Sequence, residues 1–189
     1  NKGADRDLSE LMYSGRDRRF YTAIVYDKCS WIGETVELNL GGNLSAGVRD
    51  EEDGGWYNTT TGYYWRKGNI ENPTPRAYHN CQVALHFNIV RLGEAYMNLA
   101  EAYLLKHDVP NAVKALNMTR TIHGGLSEST AATEEEAWTD YIRERNCELT
   151  NEGGDIYYSY LRWGKYGGYA NHGRDAGDII YDLDRPVYL

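Results

Sequence analysis

The chain has 189 residues, enough for one core-forming domain, and carries 28 acidic against 20 basic residues for a formal net charge of -8. That balance speaks against a nucleic-acid surface, which needs clustered Lys and Arg, and no apolar run reaches the length of about 18 residues expected of a membrane span. Cys29, Cys81 and Cys147 are too few and too scattered for a disulfide framework or a zinc site, and free, buried thiols are expected. Leu, Ile, Val and Phe are scarce, but 17 Tyr and 5 Trp make up the deficit. The core they predict is rich in polar-tipped rings that need partners or water.

Residues 1–19 open as a charged, weakly helical stretch. Phe20 to Tyr26 (FYTAIVY) is β-branched and aromatic and predicts a strand, and Glu34 to Leu40 alternates with Val36, Leu38 and Leu40 on one face. The simplest pairing is a hairpin, which places Trp31 at or near its tip as a candidate ligand contact. From Gly41 to Asn80 periodicity vanishes, and a structureless loop of that length is uncommon in a compact domain unless functional or disordered.

The middle of this loop crowds Trp56, Tyr57, Tyr63, Tyr64 and Trp65 together with Asn58 and Arg66. Such rings need a core or a ligand. A sugar ring has a flat C–H face that packs on an aromatic side chain, while its hydroxyls need fixed polar partners. Trp31, Trp56, Tyr57, Tyr63, Tyr64 and Trp65 are therefore candidate stacking platforms, with Asn58 and Arg66 as hydrogen-bonding partners. Internal packing that holds the loop in place is the alternative.

Ala84 to Gly125 predicts two helices folded back on each other. Ile89, Leu92, Ala95, Tyr96, Leu99, Ala100, Tyr103 and Leu104 recur at three- and four-residue intervals and predict one apolar face. Asp108 caps the second helix, Pro110 falls in its first turn, and Gly124 and Gly125 end it. Tyr96, Leu99, Ala100, Tyr103, Ala112 and Leu116 carry tetratricopeptide spacing, although an ordinary helical hairpin fits them as well. No second copy exists, so a lone repeat must pack on something else.

Thr133 and Glu136 form a capping box that starts a third helix, with Ala137, Trp138, Tyr141, Ile142, Arg145 and Leu149 as its inner stripe. A buried Arg145 needs a carboxylate, and Glu148 or Glu152 is nearest in sequence. Gly153 and Gly154 break the helix, Ile156 to Trp163 predicts a short helix or turn, and 164–189 is a Gly-rich tail.

Catalytic signatures are missing from the sequence. The five histidines show no metal spacing, no Ser, Cys or His constellation of a nucleophilic site appears, and no pair of carboxylates stands out as a glycosidase would require. No catalytic residue, metal or cofactor is expected. A tetratricopeptide-like scaffold gripping a peptide is the competing function, and a glycoside hydrolase is a more distant one.

Three motifs bear on family. Arg16, Asp17, Arg19, Phe20 and Tyr21 precede a predicted strand; Arg91 to Ala102 reads RLGEAYMNLAEA; and Ile142 to Arg145 is followed by Glu148-Leu149, Glu152-Gly153 and Leu161-Arg162-Trp163-Gly164. In this order they resemble the C-terminal region of the SusD/RagB family of bacterial outer-membrane nutrient-binding lipoproteins. Gly154 and Asp155 depart from the family pattern. The resemblance implies a mainly α, SusD-like fold, with a tetratricopeptide-type hairpin and further helices beside a small β-hairpin and long loops.

On this resemblance 1–189 is a single C-terminal portion. It divides into a β-hairpin and aromatic loop (1–80), a helical part (81–163) with its hairpin at 84–125, and the tail (164–189). The lipid-bearing N-terminal cysteine and most of the helical scaffold would lie outside it. The resemblance further implies a non-catalytic protein at the cell surface that binds an oligosaccharide or other small nutrient and sits on a SusC-like, TonB-dependent transporter. It would meet the membrane only through that N-terminal lipid, and nucleic acid plays no part. Arg91, Glu144, Arg145, Glu148, Glu152, Arg162 and Trp163 are expected to form a structural network of paired charges and stacked rings.

Overall fold

A computed structural model describes residues 12–38, 42–43, 61–69 and 88–163. In chain order the elements are α1 (Arg18–Ala23), β1 (Ile24–Val25), β2 (Ser30–Trp31), β3 (Glu34–Thr35), β4 (Tyr64–Trp65), α2 (Leu92–Leu105), α3 (Val109–Ile122), α4 (Glu134–Glu148) and α5 (Asp155–Arg162). The described structure is thus mainly helical. The chain forms two compact units, one from Asn1–Arg91 with Thr121–Ser127 and the other from Leu92–Arg120 with Glu128–Leu189.

In the first unit the segment expected as one strand is split. Phe20 to Ala23 is helical, because the Asp17 carboxylate accepts from the Arg19 backbone N–H at 2.8 Å and starts a helical turn despite the strand-forming side chains. Only Ile24–Val25 remains extended, and it pairs antiparallel with Tyr64–Trp65, about 40 residues onward, rather than with Glu34 to Leu40. The tight hairpin instead joins β2 to β3 through Ile32-Gly33. Bonds from Lys28 N to Val36 O (2.7 Å) and from Val36 N to Cys29 O (2.8 Å) extend its ladder. Trp31 sits next to this turn, as expected, and Val36 and Leu38 are buried together with Val25 and Cys29. Leu40 lies outside the described residues.

The second unit is built on the helical hairpin. Asp108 caps α3 by accepting from Asn111 N, and Pro110 lies in its first turn. Ala100 and Ala112 are fully buried in the same core cluster. The capping box at the start of α4 is present in both directions: Glu136 N–H donates to Thr133 Oγ1, and Thr133 N–H donates to Glu136 Oε2. The Ala132 N–H also donates to Glu136 Oε2, and the two backbone bonds from Ala132 and Thr133 hold the Glu136 carboxyl below its ordinary range. Ala137, Tyr141 and Trp163 close the core over Met97, Leu104 and Leu116.

The inner face of α2 differs from the expected one. Gly93, Met97, Ala100, Glu101 and Leu104 are buried, whereas Leu92 is 68% and Leu99 44% exposed, and Ile89, at 93%, precedes the helix. Since α2 is apolar on almost every side, hydrophobic periodicity cannot choose which stripe turns inward. The choice falls to Glu101, whose carboxylate is taken up inside the core.

Candidate ligand-binding site

Two antiparallel residue pairs, Ile24 with Trp65 and Val25 with Tyr64, set the geometry of the aromatic unit. Neighbouring residues on a strand point to opposite faces. Val25 and Tyr64 therefore face the small core, where Tyr64 stacks on Trp31 with centroids 6.5 Å apart and planes at 24°. Trp31 is half-buried, and its indole N–H is enclosed without a hydrogen-bond partner among the described residues. This inner pair is occupied with itself.

The opposite face carries Trp65, which is 46% exposed, and two positions earlier Tyr63, which is 38% exposed. Tyr63 meets Tyr13 edge-on at 6.3 Å, and Tyr13 in turn packs on Tyr26 at 4.7 Å, with Phe20 and Tyr21 completing the cluster. Burial first, and then the hydrogen bond with Tyr63, push the Tyr13 hydroxyl up to about 12. Tyr63 is thereby held against Tyr13 while part of its ring stays in solvent.

Arg66 folds back on α1. Its N–H donates to Ala23 O at 2.8 Å and its guanidinium to Tyr21 O at 3.2 Å. Among the expected site residues, then, Trp31 and Tyr64 share the inner face, Tyr63 and Trp65 the outer, and Arg66 anchors the end of β4. Trp56, Tyr57 and Asn58 lie outside the described residues. Reading the sequence missed Tyr13, Phe20, Tyr21 and Tyr26 as the support of this face. The density of the last three was the available signal, but it was absorbed into the strand predicted for Phe20 to Tyr26, and Tyr13 lies in the charged stretch before it.

In the second unit the expected motif residues converge on a carboxylate that sequence reading left unassigned. Glu101 on α2 accepts two hydrogen bonds from Arg162, both at 2.8 Å, one from the Trp163 indole at 3.0 Å and one from the Tyr141 hydroxyl at 2.5 Å. Burial pushes its carboxyl up, but the bonds from Arg162, Tyr141 and Trp163 outweigh this and leave it below its ordinary value. The same surroundings, burial foremost, drive the Tyr141 hydroxyl far above its usual range. Arg162 also lies over the Trp163 ring at 5.5 Å.

Arg145 is buried, as expected, but sequence proximity named the wrong partner. Its guanidinium bonds Asp155 at 2.9 and 2.5 Å, Asn98 at 2.9 Å, Tyr141 at 3.0 Å and Ser159 at 3.1 Å, and lies 3.7 Å from Glu101. Left-handed backbone at Asn151, Gly153 and Gly154 reverses the chain and presents Asp155, at the start of α5, to the side of α4. A residue that departs from the family pattern thus supplies the main counter-charge. Glu144 accepts from Thr119 at 2.7 Å, tying α4 to α3, and Glu148 is buried on the same helix. Arg91 and Glu152 also make contacts and are half-buried.

Among the described residues no three His, Cys, Asp or Glu side chains converge as metal ligands, and no helix is long and apolar enough to cross a membrane. Among the described residues no disulfide forms: Cys29 is buried and Cys147 half-buried, while Cys81 lies outside the described residues.

These features define a class: a mainly helical protein with a tetratricopeptide-type hairpin clamped by a buried charge network, and a separate unit of short aromatic strands. The chain belongs to the SusD family, whose model matches residues 1–188. Among solved structures, a SusD-like protein from Bacteroides fragilis is 28% identical, with a TM-score of 0.66 over 82% of this chain and 29% of its own. A SusD-like carbohydrate binding protein from the same species shares the fold at 17% identity and a TM-score of 0.63, over 93% of this chain and 38% of its own. A SusD superfamily protein from Bacteroides vulgatus gives 18% and 0.55, over 84% and 33%. The chain thus spans about a third of the length of these structures. No curated protein sequence matches it significantly.

Proposed function

We propose that this chain is part of a non-catalytic binding protein that captures oligosaccharides by stacking their rings on exposed aromatic side chains. The observation that carries this is the outer face of β4. Tyr63 and Trp65 remain open to solvent there, while Tyr64 and Trp31 are stacked against each other. A large ring left half in water above a packed aromatic support is suited to the apolar face of a sugar. Family membership supports the same ligand class, and one structural neighbour is described as a carbohydrate binding protein.

In this proposal the chain is the C-terminal portion of a surface lipoprotein of a Gram-negative outer membrane, anchored by an N-terminal lipid, that hands its ligand to a SusC-like, TonB-dependent transporter. Arg145, Glu101 and Arg162 serve the scaffold rather than chemistry, since each is consumed by internal ion pairs.

The test is direct binding to a glycan array, with Trp65→Ala as the comparison. Binding to one sugar class that falls about tenfold or more in the variant, at unchanged melting temperature, supports the proposal. Wild-type protein that binds no glycan overturns it.

A further inference from the structure

We draw no further inference here: the strongest candidate, the exposed apolar face of α2 formed by Leu92, Ala95, Leu99 and Ala102, carries nothing because nothing in the structure shows what covers it.

Discussion

Arg162 presents two guanidinium N–H groups to the two oxygens of Glu101, each at 2.8 Å, across 61 positions of sequence. This fork joins α5 to α2, and Tyr141 and Trp163 donate to the same carboxylate. Glu101→Gln keeps the shape and removes the charge, leaving buried Arg145 with less compensation and Arg162 unpaired. Breaking a buried pair from one side costs about 3 kcal/mol or more. Arg162→Ala is expected to cost less, on the order of 1 kcal/mol, because its side chain is 36% exposed and water takes over part of the lost interaction. Urea denaturation of the two variants checks the order.

The same carboxylate predicts a pH dependence. The folded-state value of Glu101 lies below its ordinary 4.5, despite burial, because the bonds from Arg162, Tyr141 and Trp163 favour the charged form. A depressed carboxylate contributes stability that is fully present above the unfolded value and is lost as pH falls through the folded one. The stability difference between wild type and Glu101→Gln is therefore constant near neutral pH and shrinks below 4.5. Glu136 is also depressed, but it is common to both proteins and cancels. A difference that grows on acidification would contradict this assignment.

Local signals were legible in the sequence, and distant partners were not. Thr133 with Glu136, and Asp108 with Pro110, act over three residues or fewer, so their caps could be read directly. The network core could not: Glu101 was visible only as a carboxylate in an apolar helix, and its partners lie 40 to 62 positions away. The β1–β4 ladder is hidden for the same reason, since two-residue strands carry almost no alternation to detect. At the candidate site, crowding marked a group of rings but could not show that Tyr64 turns inward and Trp65 outward. That division follows from which residue pairs with Val25 and which with Ile24.

The hairpin turn holds a correctable strain. Ile32 and Gly33 have φ of 51° and 79°, the positive pair that a two-residue type I′ turn requires. Glycine accepts this, but a β-branched residue is a poor fit there, and the left-handed region costs an L-residue about 1 to 2 kcal/mol. Ile32 is also exposed, so little packing offsets the cost. Ile32→Asn is expected to stabilise the protein by about 1 kcal/mol, seen as a rise of about 2 to 4 °C in melting temperature. A fall would show that the isoleucine makes a contact worth more than the strain.

Trp31 and Trp65 lie on opposite faces of the same small unit and should separate stability from binding. Trp31 packs with the buried cluster of Val25, Cys29, Val36 and Leu38 and stacks on Tyr64. Trp31→Ala removes both contacts and is expected to cost about 3 kcal/mol. Trp31→Phe keeps the stack and removes the enclosed indole N–H that has no partner among the described residues, so its cost should be much smaller. Trp65 projects from the other face and is 46% exposed, so Trp65→Ala should change stability by only about 0.5 kcal/mol. Thermal melts of the three variants, run beside glycan titrations, read stability and binding separately at the two positions. If Trp65→Ala proves as destabilising as Trp31→Ala, Trp65 is a packing residue and the outer face of β4 is not held open for a ligand. If stability is lost only at position 31 and binding only at position 65, the unit divides its two tryptophans between core and ligand, Trp31 on β2 and Trp65 on β4.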